Sequence, residues 1–259
     1  MYNSVLPHII QNDISVFIKY ICLLISNTNK SIVKIKEQNR ITILDLDNKI
    51  ARLAGILYLS LIPLGIFGII YVPSILVVPE NIETTIVNII ENETLFRWSI
   101  ISALVVQLVN IILVLLLFKV FKPINKAMAF LMVILSLLAV PIAFFNEINN
   151  LAVLQLLDSP NESQHLISFF LNLHKQGIII AQVFWGLWLF PLGYLVYKSN
   201  YMPKLIGILL MIGCVGYVVD SFTLILLPEF KITFSEFTFL GEVIFPLWLL
   251  IKGIKKSQV

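Results

Sequence analysis

Charged residues are scarce in this chain of 259 residues: they make up 13% of it, whereas hydrophobic residues make up 59%. Soluble domains carry about a quarter charged and about half apolar residues. Together with a mean hydropathy of +0.95, this composition excludes an ordinary water-soluble protein and indicates an integral membrane protein. The net charge of +3 provides no strongly basic face on a soluble fold. We therefore expect the lipid bilayer, and no nucleic acid, as a partner.

Residue types that carry catalysis and metal binding are also few. The sequence has three histidines and two cysteines, and none of the histidines belongs to an HExxH pair or another diagnostic ligand spacing. Cys22 and Cys214 cannot form a CxxC site. The sequence also lacks a GxSxG elbow and a phosphate-binding glycine loop. It thus predicts no metal and no cofactor, and an enzyme is the less favoured interpretation.

Long apolar runs dominate what is present. Because a helix needs about 20 apolar residues to cross a bilayer, the runs predict an all-α fold, a polytopic six-helix transmembrane bundle. The predicted spans are residues 50–71, 98–118, 127–147, 177–197, 205–227 and 237–251. Pro63 and Gly65 in the first span and Pro141 in the third predict kinks. The longest connection, residues 148–173, is predicted to be a solvated loop or a lid.

Residues 1–48 are predicted to be a non-spanning N-terminal extension in the cytoplasm, beside a membrane domain of residues 49–256. The apolar run at 14–26 is too short to span the bilayer, and Lys19 interrupts it. Basic residues follow this run, which is typical of an interfacial amphipathic helix. That helix and a poorly ordered tail remain alternative interpretations.

The distribution of basic residues predicts the orientation, because short cytoplasmic loops retain Lys and Arg. Six spans place both termini and the turns at 119–126 and 198–204 on one side. That side holds fifteen of the 18 basic residues, and the other side holds Arg97, Lys175 and Lys231. We therefore predict a protein of the cell (plasma) membrane with both termini in the cytoplasm.

Polar residues inside the spans are the candidate functional residues, since an ionisable group in a membrane span is a functional-site hypothesis by default. Asp220 in the fifth span and Glu242 in the sixth are each predicted to lie about 10 Å from the outer ends of their helices. The predicted outward-facing polar pocket consists of Asp220, Glu242, His174, Gln182, Tyr217, Arg97 and Glu147.

Gln107 and Asn110 form a second polar pair, near the middle of the second span. Their i, i+3 spacing puts both on one helix face. Interhelical hydrogen bonds that hold the bundle together are the commoner role of such residues. A place along a solute or proton path is the alternative.

Three interpretations of Asp220 remain open. It forms a structural pair with Arg97 or Lys175, or is partly hydrated at the interface. Alternatively, it binds a cation or relays protons together with Glu242. In the third interpretation, His174, Glu147, Asp220 and Glu242 hold a metal or act as acid and base.

Several motifs resemble those of the uncharacterised bacterial integral membrane proteins grouped as domain of unknown function 4386. The resemblance covers about residues 49–254, and residues 1–48 depart from it. The motifs include Ala51–Leu59, Leu117–Asn125, Leu171–His174, Phe184–Trp188, Gly193–Ser199, Met202–Gly207, Gly216–Phe222 and Gly241–Glu242. This resemblance implies a compact helical membrane domain and no established reaction, substrate or cofactor. A further motif is Leu95–Arg97, before the second span. By this resemblance, Arg97, His174, Asp220 and Glu242 are the polar residues that lie in family-like motifs, and they are the best site candidates.

These observations favour one functional hypothesis over two others. The first is an uncharacterised multi-pass membrane protein that binds or moves a small solute or proton through the outward-facing pocket. The second is a membrane-embedded enzyme that acts on a lipid or another apolar substrate. The third is a structural or accessory membrane subunit, whose protein partners the sequence does not identify.

Overall fold

The computed structural model describes residues 47–227 and 233–254. Residues 1–46 of the predicted N-terminal extension (1–48), on which its two interpretations rest, lie outside the described residues, whereas Asp47 and Asn48 belong to the first helix. Within the described ranges, all regular secondary structure is helical and no strand occurs. This confirms the all-α prediction for that part of the chain.

Nine helices, α1 to α9, are considered below, in chain order. They are α1 (Asp47–Leu76), α2 (Ile82–Glu91), α3 (Glu93–Phe121), α4 (Lys126–Leu156), α5 (Pro160–Leu187), α6 (Leu189–Ser199), α7 (Lys204–Leu226), α8 (Ser235–Thr238) and α9 (Leu240–Lys252). α5 passes into α6 at Trp188, whose backbone angles stay helical. Five helical segments are long and apolar enough to cross a membrane, namely α1, α3, α4, the joined α5–α6 and α7.

The predicted sixth span is divided into α8 and α9, which meet at Phe239. α9 has 13 residues, so it is about 20 Å long, whereas the hydrocarbon layer is about 30 Å thick. α9 packs against α7. The count of six spans therefore stays a prediction.

The prediction of a long loop or lid at 148–173 is wrong. α4 continues to Leu156, and α5 begins at Pro160, where a proline suits the first helical turn because its missing N–H would have no partner there. Apolar residues also continue along both helices, and Val153 and Ile167 are completely buried. Hydropathy detects segments that are compatible with lipid. It therefore did not detect the helical residues in this more polar stretch between two apolar runs.

Local sequence signals explain several helix ends. The side chain of Asn81 accepts a hydrogen bond from Thr84 N at the start of α2, and that of Asn125 accepts one from Met128 N at the start of α4. Asn200 takes the left-handed conformation that ends α6. In α1, a π-helical turn covers Ile66–Tyr71, shortly after Pro63.

The helix ends define two ends of the bundle. The lysine-rich end carries Lys119, Lys122, Lys126, Lys198, Lys204 and Lys252. The start of α1 and the end of α9 lie together there, because Ile254 N donates a hydrogen bond of 2.9 Å to Asn48 Oδ1. The opposite end carries α2 and the α4–α5 connection, whereas α8 lies alongside α7, with Thr238 against Gly216.

The interior consists of two apolar clusters with polar side chains between them. The first, nearer the lysine-rich end, includes Leu113, Leu117, Phe121, Met132, Leu192 and Phe245. The second, nearer the opposite end, includes Val72, Ile89, Phe96, Val153 and Ile167. Between these clusters, α3 and α4 bury a polar layer of Gln107, Asn110, Ser136, Asn146, Glu147 and Asn150.

The outer surface of the bundle is apolar. On α3, for example, Ile101, Leu108, Ile112 and Leu115 are all exposed, at the spacing of one helix face. The polar residues Gln107 and Asn110 are buried instead. An apolar exterior around a polar layer matches a protein surrounded by lipid.

Candidate functional site

A small cavity lies in the polar layer, between α1, α3, α4 and α5. Its volume is about 30 Å³, which gives room for about two water molecules. We call this cavity and its lining the polar pocket. The lining residues that offer a polar side chain or an aromatic ring with N–H are Ser99, Gln107, Asn146, Glu147, Asn150, His174 and Trp185.

The polar pocket lies in the half of the bundle away from the lysine-rich end. At a rise of about 1.5 Å per residue, Glu147 lies about 32 Å along α4 from Lys126. Gln107 lies about 21 Å along α3 from Phe121 by the same measure. The pocket thus extends from about the middle of the bundle toward the end opposite the lysine-rich one.

Glu147 and His174 form the centre of the polar pocket. Glu147 Oε1 lies 3.0 Å from His174 Nε2. Glu147 Oε2 accepts a hydrogen bond of 3.0 Å from Asn150 Nδ2, one turn further along α4. Only 9% of the Glu147 side chain and 14% of the His174 side chain are exposed. This hydrogen-bonded pair joins α4 to α5.

Asn146 fixes the position of α5 beside this pair. Its Nδ2 donates a hydrogen bond of 2.9 Å to the backbone oxygen of His174. A side chain at Gly177 would collide with the amide of Asn146. Glycine at this position therefore lets the two helices approach closely enough for the Glu147–His174 contact.

Within the polar pocket, Gln107 is the residue whose side-chain oxygen lacks a hydrogen-bond partner among the described residues. It is 4% exposed, and among the described residues its buried Oε1 atom has no hydrogen-bond partner. Leaving a buried acceptor unpaired costs about 1–3 kcal/mol. Asn110, by contrast, donates a hydrogen bond of 3.1 Å to Ser136 Oγ of α4. Gln107 therefore offers the pocket an acceptor for a ligand, whereas Asn110 contributes to helix association.

Asp220 has a structural partner that the sequence did not indicate. It is 1% exposed, and its two oxygens accept hydrogen bonds of 2.6 Å from Phe234 N and 2.7 Å from Ser235 N. Within residues 47–227 and 233–254, neither Arg97 nor Lys175 forms an ion pair with it. Its carboxylate instead attaches the start of α8 to α7 through charge-assisted hydrogen bonds.

Glu242 belongs to a different part of the bundle. Its Oε2 accepts a hydrogen bond of 3.1 Å from the Tyr58 hydroxyl of α1, and Tyr217 of α7 faces the same carboxyl group. We call Tyr58, Tyr217 and Glu242 the tyrosine–glutamate site. At a rise of about 1.5 Å per residue, Glu242 lies only about 15 Å from the end of α9, because α9 is short.

The seven residues of the predicted pocket do not converge on one site. Glu147 and His174 line the polar pocket, and Glu242 and Tyr217 lie in the tyrosine–glutamate site. Of the other three, Asp220 holds α8, Gln182 is half-buried on α5 outside the pocket lining, and Arg97 pairs with Glu93 at the exposed start of α3.

Sequence reasoning left Asn150 and Tyr58 out of the candidate sites. The third span was predicted to end at residue 147, which placed Asn150 in a loop. The i, i+3 spacing from Glu147 was its available signal. Tyr58 carried no signal, since its role depends on the packing of α1 against α9.

No metal centre is formed within the described part of the chain, because no group of three or more His, Cys, Asp or Glu residues there could hold an ion. The Glu147–His174 pair is joined by a hydrogen bond.

Comparison with known proteins gives a family match. The model of the family described as "Domain of unknown function (DUF4386)" matches residues 53–253. An uncharacterized protein of Archaeoglobus fulgidus is 45% identical over 80 residues, which cover 31% of this chain and 48% of that relative. The match thus spans about half the length of the relative. No solved structure matches the chain.

Proposed function

This chain belongs to the DUF4386 family, and on that premise we propose that it is a six-span membrane protein that binds or moves a small polar solute or a proton through the polar pocket. The observation that carries the proposal is the buried Gln107 Oε1 atom, which lacks a hydrogen-bond partner among the described residues. In a bilayer, water is scarce at this depth, so a ligand with a hydrogen-bond donor is the natural partner of this atom.

The proposed orientation follows from charge. We take α8 and α9 together as the sixth crossing and the lysine-rich end as cytoplasmic. Three lysines at this end lie over aromatic rings: Lys122 over Phe118, Lys198 over Tyr194 and Lys204 over Tyr197. Such lysines and rings are typical of a membrane–water interface. The polar pocket then faces the outside of the cell membrane.

The size and chemistry of the pocket restrict the solute. A cavity of about 30 Å³ suits a solute of a few heavy atoms. Gln107 Oε1 and the carboxylate of Glu147 are hydrogen-bond acceptors, so the solute must donate hydrogen bonds. Ammonium, methylammonium and urea have this combination of size and donors. A proton held by the Glu147–His174 pair is the smallest occupant that satisfies it.

Thermal unfolding of the purified full chain in lipid nanodiscs tests the proposal with ammonium, methylammonium, urea and glycerol as probes. A probe at about 100 times its Kd stabilises the folded state by about 2.7 kcal/mol, which raises Tm by about 5–10 °C for a protein of this size. We expect this shift in the wild type and in Gln182→Leu, a matched variant outside the pocket.

The same shift should be lost in Gln107→Leu, because the substitution removes the free acceptor. Equal shifts in all three proteins would show that the probe binds elsewhere. Flat melting temperatures with every probe, combined with no proton uptake by the Glu147–His174 pair, would contradict the proposed function.

A further inference from the structure

The tyrosine–glutamate site has no role in the proposed function, although it places a carboxyl group deep in the bundle. We propose that Glu242 is a second functional site, placed inside the membrane layer. Its carboxyl group binds a proton that comes from water and later returns this proton to water. This inference goes beyond the proposed function, because it holds whether or not the polar pocket binds a solute. In the bound state, one Glu242 oxygen carries the proton; in the free state, the proton has returned to water.

Three helices bring their polar groups together at this site. Tyr58 comes from α1, Tyr217 from α7 and Glu242 from the first turn of α9. At a rise of about 1.5 Å per residue, each lies about 15–20 Å from the lysine-rich end of its helix. The site is therefore near the middle of a hydrocarbon layer about 30 Å thick.

The surroundings of the site are apolar and aromatic. The Tyr58 ring is packed between Trp188 and Phe245, with ring centroids 5.7 Å and 5.9 Å away. Phe245, one turn after Glu242, is completely buried. Hydrocarbon on several sides makes an isolated negative charge at Glu242 unfavourable.

Within the two described ranges, no Lys, Arg or His forms an ion pair with the Glu242 carboxyl group. The titratable groups that face the site are Tyr58 from α1 and Tyr217 from α7, and Asp220 lies one turn further along α7. These neighbours are phenols and a second carboxylate, and none of them supplies a positive charge. Among the described residues, a proton is therefore what makes Glu242 neutral.

Neighbouring side chains also stabilise the ionised Glu242 carboxylate, so that proton binding can be reversed. Tyr58 donates a hydrogen bond to Glu242 Oε2, and Tyr217 supplies a second phenol beside the same carboxyl group. Phenol hydroxyls stabilise a carboxylate without adding net charge. Apolar packing therefore favours the protonated form and the two phenols favour the ionised form, so that the site can exchange its proton.

Two buried oxygens near this site lack a hydrogen-bond partner among the described residues, Glu242 Oε1 and Thr238 Oγ1. Thr238 lies directly against Gly216 of α7, where no side chain fits. A carboxylate oxygen only accepts hydrogen bonds, whereas a protonated carboxyl group can also donate one. Protonation therefore removes the unpaired negative charge from Glu242 Oε1, which has no donor beside it among these residues.

Infrared spectroscopy of the full chain in lipid nanodiscs tests this inference, because only a protonated carboxyl group has the carboxylic C=O stretching band. We expect the wild type to show a band that disappears reversibly as the pH is raised. This band should be lost in Glu242→Gln and retained in Glu147→Gln, a matched substitution in the polar pocket. If the band were lost in Glu147→Gln but retained in Glu242→Gln, the proton would belong to the polar pocket, and the proposal would be overturned.

Wild-type spectra keep the test decisive if Glu242→Gln does not fold. A wild-type band that is absent at every pH, or one that never responds to pH, overturns the inference. Tyr58→Phe provides a milder variant, because it removes one hydrogen bond and no charge. The band should shift in frequency in Tyr58→Phe, and an unshifted band would mean that the proton is not on Glu242.

Discussion

Replacement of Asp220 by asparagine should destabilise the protein without affecting a ligand directly. Each oxygen of Asp220 accepts one backbone N–H bond, from Phe234 at 2.6 Å and from Ser235 at 2.7 Å. Asparagine keeps one acceptor oxygen but places an amide NH₂ group against the second N–H. Two donors then face each other in a site that is closed to water, since Asp220 is 1% exposed.

The magnitude follows from these two contacts. A hydrogen bond to a charged group contributes about 1.5–3 kcal/mol, and a buried donor left unpaired costs about 1–3 kcal/mol. Both ranges include part of the same hydrogen-bond free energy, so they are not added in full. We expect the free energy of unfolding to decrease by about 3 kcal/mol in total. For a protein of this size, 1 kcal/mol corresponds to about 2–4 °C in Tm. The expected decrease in Tm is therefore about 6–12 °C.

Differential scanning fluorimetry of the purified variants in one detergent measures this effect. Glu236→Gln is the matched control: it makes the same change from carboxylate to amide on an exposed residue of α8. Such a surface substitution should alter stability by no more than about 0.5 kcal/mol. If Asp220→Asn melted like Glu236→Gln, the carboxylate would not be what holds α8, and Asp220 would return as a candidate ligand-binding residue.

Two further predictions concern helix packing and orientation. Gly193→Ala should sharply lower the yield of folded protein, because its new methyl group would lie 2.5 Å from Gly207 O. Gly65→Ala is the control and should give a normal yield, because a Cβ at Gly65 meets nothing within 4 Å. Size-exclusion chromatography measures both yields, and equal yields would refute this packing. On a background without native cysteines, Lys122→Cys should react with an impermeant maleimide only after cells are opened, and Glu91→Cys should react in intact cells. The reverse pattern would invert the proposed orientation.

The five helical segments that are long and apolar enough to cross a bilayer were predictable, because lipid selects long apolar runs. Their ends were less predictable. α4 runs to Leu156 because its last turns bury Val153 against Ile167 of α5, and this contact exists only in the folded bundle. The division of the last segment at Phe239 is likewise a tertiary feature, since Phe239 itself has no helix-breaking chemistry.

The candidate site shows a similar limit of sequence reasoning. Glu147 and His174 were each recognisable as polar residues near a predicted span, but their pairing depends on how α4 and α5 rotate about their axes. Asp220 was recognisable as a buried charge, yet its partners are backbone N–H groups. Every non-proline residue carries such a group, so no sequence pattern distinguishes Phe234 and Ser235 as the partners.

Each of the two proposed sites has one buried acceptor without a hydrogen-bond partner among the described residues, Gln107 Oε1 in the polar pocket and Glu242 Oε1 in the tyrosine–glutamate site. Their surroundings differ, and this difference favours different occupants. Gln107 Oε1 lies in a cavity beside Glu147 and His174, which already form a pair. A solute that donates hydrogen bonds can therefore enter this cavity and pair with Gln107 Oε1. Glu242 Oε1 belongs to a carboxyl group that has phenols but no cation beside it within the described residues. A positive charge is what neutralises that group, and Glu242 is not among the residues that line the polar pocket, so the proton is the occupant that we propose for it. The proposed solute site toward one end of the bundle and the proposed proton site near its middle would together supply the two components that coupled transport requires.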